Sequence, residues 1–122
     1  MSKWALVVDD SVTMQNMVAM ALKEIGFEVV TASDGDEASK KAEKTEFNVV
    51  ITDINMPNMD GIDLIRHLRG IPNCKKIPIL VLTTESSDNA KNAGRSAGAS
   101  GWIVKPFNPT TLKSAVTKLC GL

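Results

Sequence analysis

Five short runs of β-branched and apolar residues punctuate this chain, and each is followed by a longer segment with helical periodicity. The runs fall at residues 4–8, 27–32, 49–52, 79–82 and 101–104. Most are apolar on both faces, the pattern of strands buried in a parallel sheet. Five strand–helix pairs in 122 residues predict an α/β fold with a parallel sheet, right-handed crossovers and one domain over residues 1–122. In such folds ligands sit outside the carboxyl ends of the strands, so those ends are where chemistry is expected.

The helical segments differ in quality. In the first, Met14, Met17, Val18, Ala21, Leu22 and Ile25 recur at helical spacing, and Gly26 is the expected stop. The second opens at Asp34 with Glu37 three residues on, a capping-box pattern, and its apolar face is thin, mainly Ala38 and Ala42. The third is expected over residues 61–69, with Ile62, Ile65 and Leu68 inward. The fifth starts at Asn108-Pro109, an N-cap followed by Pro at the first helical position. The fourth, over residues 87–97, contains Asn89, Asn92, Gly94 and Ser96 and offers only Ala90, Ala93 and Ala97 as apolar contacts. Gly94 alone costs about 1 kcal/mol relative to Ala. This helix is expected to be the least stable and the most easily moved.

Charge excludes several partners. Lys+Arg and Asp+Glu are both 14, so the net charge is zero and no broad attraction to nucleic acid or to an anionic membrane is expected. No apolar run approaches the roughly 18 residues that span a bilayer. The start, Met1-Ser2-Lys3-Trp4, carries no secretory signal, and the expected location is cytoplasmic. Cys74 and Cys120 have no metal-ligand spacing and are expected to be reduced thiols. His67, on the third helix, is expected at the surface and not on a metal.

The strand ends hold a different population. Asp9 and Asp10 follow the first strand, Asp53 the third, Thr83-Thr84-Glu85 the fourth and Lys105-Pro106 the fifth. Each is commonplace alone, since Asp pairs cap helices and Lys-Pro occurs in many loops. Together they put acids, a hydroxyl and a lysine on one edge. Three converging carboxylates repel one another, and a divalent cation resolves the conflict. Hard oxygen ligands, few in number, point to Mg²⁺. Such a site suits a phosphoryl group, with Mg²⁺ and Lys105 neutralising its charge and the Thr83 hydroxyl donating to an equatorial oxygen. Neither a GxxxxGK[ST] loop nor a GxGxxG turn is present, so a nucleotide is not expected. Transfer of phosphoryl to a carboxylate of the protein itself is the simplest remaining use.

Taken as an ordered set, these residues resemble a known family. Val7-Val8-Asp9-Asp10-Ser11, Ile51-Thr52-Asp53-Ile54-Asn55-Met56-Pro57, Met59-Asp60-Gly61, Leu82-Thr83 and Lys105-Pro106-Phe107 are similar to the receiver domains of bacterial two-component response regulators. The likeness covers essentially the whole chain and is greatest to single-domain chemotaxis regulators of the CheY type. It implies a flavodoxin-like (βα)5 fold with strand order 2-1-3-4-5. It implies Asp53 as phosphoacceptor, with a CheA-like histidine kinase as donor. It implies Asp10, Asp53 and the main-chain carbonyl of Asn55 as Mg²⁺ ligands, with Asp9 supporting through water. Lys105 pairs with the phosphoryl oxygens, Thr83 and Trp102 form the switch, and Asn55 and Glu85 tune hydrolysis. The output surface is that of the fourth helix, fifth strand and fifth helix, read by a partner such as a flagellar motor switch protein. A phosphatase is a further expected partner. The protein is then not a dedicated enzyme.

Two positions depart from the family pattern. Trp102 stands where Tyr or Phe is usual, and the larger ring is expected to enter an inner pocket only in part. Thr84 stands where a small residue is commoner, and its branched side chain is expected to narrow access to Asp53. Three alternatives stay open. A phosphorelay shuttle would use the same site. A haloacid-dehalogenase-type Mg²⁺ phosphatase also has an Asp nucleophile, but Asp9-Asp10-Ser11 lacks its DxD motif. A flavodoxin-like binding module would need a Ser/Thr-rich loop after the first strand.

Overall fold

The computed structural model describes residues 3–122. Met1 and Ser2, on which the expectation of no secretory signal partly rests, lie outside the described residues. The strands are β1 (Lys3–Val8), β2 (Phe27–Ala32), β3 (Val49–Thr52), β4 (Ile79–Thr83) and β5 (Gly101–Val104). The helices are α1 (Val12–Glu24), α2 (Gly35–Lys44), α3 (Gly61–Arg69), α4 (Asp88–Ala97) and α5 (Pro109–Leu119), with a short 3₁₀ turn at Pro72–Cys74. All strand pairs are parallel, in the order β2-β1-β3-β4-β5. This is the flavodoxin-like arrangement expected. No helix among the described residues is long and apolar enough to cross a membrane.

The period-two alternation of each strand builds a core on both faces of the sheet. On one face, Leu6, Val8, Val50 and Val81 pack with Ala38 of α2 and Leu64 of α3. On the other, Val7, Ile51 and Leu82 meet Val18 and Leu22 of α1 and Leu112 of α5. The inner strands β3 and β4 are buried along their whole length, whereas the edge strands β2 and β5 are only partly covered.

Local signals set the helix starts. Ser11, Asp34, Asp60, Ser87 and Asn108 each cap a helix through a side-chain oxygen that accepts a backbone N–H of the first turn. At α2 the capping box closes one residue early: Asp34 accepts the Glu37 N–H, while Glu37 accepts from Ser33 and not from Asp34.

One member of the expected α1 stripe needs correction. Met17 stands 46% exposed on α1, and Gln15 and Ala19 are buried in its stead. Hydrophobicity alone favours Met17, but the Gln15 amide is satisfied inside by the Asp9 and Ala32 carbonyls and the Ser33 hydroxyl. Met17 lies two positions from both Gln15 and Ala19, about 200° around the helix axis from each, so packing and not apolar character selects the buried members. On α3 the expected inward residues hold: Ile65 and Leu68 are buried with Leu64, and Ile62 is half-buried and packs against the same core.

These placements have measurable consequences. Leu64→Ala is expected to cost about 2–5 kcal/mol of stability by opening a cavity. Met17→Ala is expected to stay within about 0.5 kcal/mol of the parent. Urea unfolding of the two variants checks the burial pattern.

Candidate functional site

Register brings the sequence-distant residues together. Val8 pairs with Ala32 and Thr52, and Thr83 pairs with Val104, so the strands end at nearly one level. The residues that follow them open onto a shared cleft. Asp9 and Asp53 are 4% and 8% exposed there and Thr83 is fully buried, while Asp10 lies at the open side. Carboxylate oxygens of Asp9, Asp10 and Asp53 all lie within 4.8 Å of one another. That set offers hard oxygens and neither thiolate nor imidazole, so it fits a small hard cation such as Mg²⁺.

Lys105, the residue after β5, closes the cleft. Its Nζ donates to Asp9 Oδ2 and to Asp53 Oδ2, each at 2.8 Å. The Lys105 N–H donates to the Thr83 carbonyl at 2.7 Å, and the Lys105–Pro106 peptide is cis. Burial alone pushes the Asp53 carboxyl up; hydrogen bonds from Lys105, with Thr83 and the Ile54 N–H adding to them, outweigh it and hold Asp53 below its usual 3.8. For Lys105, burial lowers the ammonium pKa, but Asp53 and Asp9 raise it above 10.5. Asp53 and Lys105 therefore hold each other charged.

Residues without ionisable groups fix this geometry. The Ile54 N–H donates to Asp53 Oδ1 at 2.6 Å, and the Asn55 N–H does so at 3.3 Å. The Ser11 N–H donates to Asp9 Oδ1 at 2.9 Å, and Gln15 Nε2 donates to the Asp9 carbonyl at 2.7 Å. The first turn of α3 runs directly against the Asp53 backbone. A Cβ at Gly61 would lie 2.1 Å from the Asp53 carbonyl oxygen, so no other residue fits there without moving Asp53. Neither Gln15 nor the packing role of Gly61 is among the residues expected from the sequence. Gln15 carries a signal, a polar residue in the apolar stripe of α1, whereas Gly61 is visible only as part of a motif.

The other expected site residues are placed as follows. Trp102 is half-buried, and its Nε1 donates to the Glu85 carbonyl at 3.0 Å. Glu85 is half-buried and its N–H donates to Thr83 Oγ1 at 3.3 Å, while Asn55 and Thr84 are exposed. His67 stands apart from the cleft and faces Glu43 of α2 at 3.7 Å. Cys74 and Cys120 are both free, and burial raises both thiols.

The charged trio sets a pH signature. Asp53 has a depressed carboxyl, so its contribution is present above 3.8 and is lost as pH falls through its lower folded value. Lys105 has a raised ammonium, so its contribution is present below 10.5 and is lost as pH rises through its higher folded value. Lys105→Met removes the hydrogen bond that holds the Asp53 carboxyl down and leaves burial to raise it. The parent is expected to hold its stability between about pH 5 and about pH 9. The variant is expected to gain stability as pH falls from about 7 to about 5. Urea midpoints across this range, without added metal, check the reversal.

Known proteins share this arrangement. Residues 5–117 match the response regulator receiver domain. The chain is 39% identical over 115 residues to chemotaxis protein CheY-3 of Vibrio cholerae, across 93% of this chain and 88% of that protein. It is 40% identical over 118 residues to chemotaxis protein CheY1 of Helicobacter pylori, across 95% of each. The solved structure of Vibrio cholerae chemotaxis protein CheY4 superposes with a TM-score of 0.93 at 44% identity, over 98% of this chain and 99% of that one. With the 2-1-3-4-5 sheet and the acidic cleft at its carboxyl edge, this likeness shows that the chain belongs to the response regulator receiver family.

Proposed function

We propose that this protein is a response regulator of chemotaxis type, in which Asp53 accepts a phosphoryl group from the phosphohistidine of a histidine kinase. The observation that carries this reading is the position of Lys105 Nζ, 2.8 Å from both Asp9 and Asp53 in a cleft with a third carboxylate at its mouth. A lysine held against the acceptor is poised to follow the added charge, because its ammonium can exchange a carboxylate partner for a phosphoryl oxygen.

Asp10, Asp53 and the Asn55 carbonyl are the proposed Mg²⁺ ligands, with Asp9 supporting through water. Bound there, Mg²⁺ supplies charge neutralisation at the phosphoryl oxygens. Asp53, kept ionised by its neighbours, attacks phosphorus; the P–N bond to the donor imidazole breaks and the imidazole leaves with the electron pair. Lys105 then pairs with the new phosphoryl group, and the Thr83 hydroxyl turns toward an equatorial oxygen. The added group biases an existing equilibrium between two arrangements of Thr83 and Trp102. Asn55 and Glu85 flank the acyl phosphate and set its rate of hydrolysis. The surface of α4, β5 and α5 changes with the switch and is read by an output partner. Because the relatives above are named as chemotaxis proteins, a flagellar motor switch protein is the proposed reader and a CheA-like kinase the proposed donor. A phosphatase resets the signal, and the cycle is placed in the cytoplasm.

Two experiments test the reading. Acetyl phosphate with Mg²⁺ is expected to label the parent, and Asp53→Asn is expected to abolish that labelling; stoichiometric labelling of the variant, read by intact mass, would overturn the assignment. Thr84→Ala is expected to raise the rate of labelling by widening access to Asp53. An unchanged rate removes Thr84 as a gate.

A further inference from the structure

Gly94 is the residue that argues most strongly against helix in α4, yet it is buried at that helix's inner face. A Cβ built there would lie 2.6 Å from Trp102 Cζ3 and 3.2 Å from Trp102 Cε3. The first distance is closer than side chains approach one another, and the flat, rigid indole has no flexible end to yield. The next neighbour, Ile62 Cδ1, is an ordinary 3.7 Å away. The six-membered ring of Trp102 therefore occupies the space that a side chain at position 94 would fill.

The other end of the indole is tethered. Trp102 Nε1 donates to the Glu85 carbonyl at 3.0 Å, in the segment that joins β4 to α4. The Glu85 N–H donates to Thr83 Oγ1 at 3.3 Å. A continuous series of contacts thus runs from Gly94 through Trp102 and Glu85 to the hydroxyl beside Asp53. Ile62 packs at the same place, which accounts for its half-buried position on the flank of α3.

We propose that Gly94 is a positioning residue for the phosphorylation switch: by leaving out a side chain it sets the depth at which Trp102 seats against α4, and so holds Glu85 beside Thr83. The functional half of this proposal rests on the Asp53 reading above; the seat itself does not. A tryptophan at position 102 and a glycine at position 94 are then a size-matched pair, and the poor helix propensity of Gly94 is the cost of the larger ring.

The test uses the full chain with Trp4→Phe, so that Trp102 is the sole fluorophore, and compares G94A, W102L and the double variant. Ala in place of a helix-interior Gly ordinarily stabilises. With Trp102 present, G94A is expected to lower the urea midpoint and to make the indole several times more accessible to acrylamide. In the W102L background, G94A is expected to raise the midpoint, followed by circular dichroism. A raised midpoint with Trp102 present, together with unchanged acrylamide quenching, would overturn the seat.

A second readout addresses function. After labelling with acetyl phosphate and Mg²⁺, G94A and W102L are each expected to shift the lifetime of the acyl phosphate severalfold in the same direction. The double variant is expected to shift it no further than W102L, because both act through one contact. Additive shifts would overturn the positioning role. Failure of the parent to be labelled would overturn the Asp53 reading and the functional half with it, whereas the midpoint and quenching results judge the seat by themselves.

Discussion

The cleft depends on one lysine between two buried carboxylates. Asp9 and Asp53 follow strands that lie side by side, and both are nearly buried, so without compensation their charges oppose folding. Lys105 supplies the compensation from a third strand, 52 residues from one acid and 96 from the other. Such a bridge is weak evidence for stability as such, since desolvation offsets much of the attraction. Its value lies in placement: the ammonium that bridges Asp9 and Asp53 holds the Asp53 carboxyl below its usual range, and in the proposed function it is the group that turns to the added charge.

The rest of the fold serves the precision of that bridge. A parallel sheet with helices on both faces ends its strands at a common edge, which is why residues from β1, β3, β4 and β5 converge. Fine placement then comes from neutral groups. The Ile54 and Ser11 N–H groups orient the two carboxylates, Gln15 ties the Asp9 backbone to the end of β2, and Gly61 lets α3 start against Asp53. In contrast, α4 contributes little apolar burial. Its apolar contacts are small, and at Gly94 it fits closely against the ring of Trp102.

Much of this was legible beforehand. The β2, β3 and β5 runs coincide with the observed strands, because a buried parallel strand must be apolar on both faces. The β4 run stopped one residue short, since Thr83 is polar by composition but fully buried as the last residue of the strand. Helix starts were legible where a short polar side chain precedes the helix, as at Asp34 and Asn108. Met17 was misplaced because helical periodicity marks a stripe without fixing its centre, and only packing selects it.

The sequence by itself determined the alternation of strand and helix, and with it the edge at which Asp9, Asp10, Asp53, Thr83 and Lys105 had to appear. Those are consequences of local periodicity and of the rule that α/β sheets work at their carboxyl ends. Only the tertiary structure decided that Lys105 bonds Asp9 as well as Asp53, that Gln15 belongs in the core, and that Gly94 makes room for Trp102. Each of these joins residues far apart along the chain or reverses a local preference. A helix propensity is summed over neighbours in sequence, whereas a buried charge, a satisfied amide and a void are properties of what surrounds a residue in space.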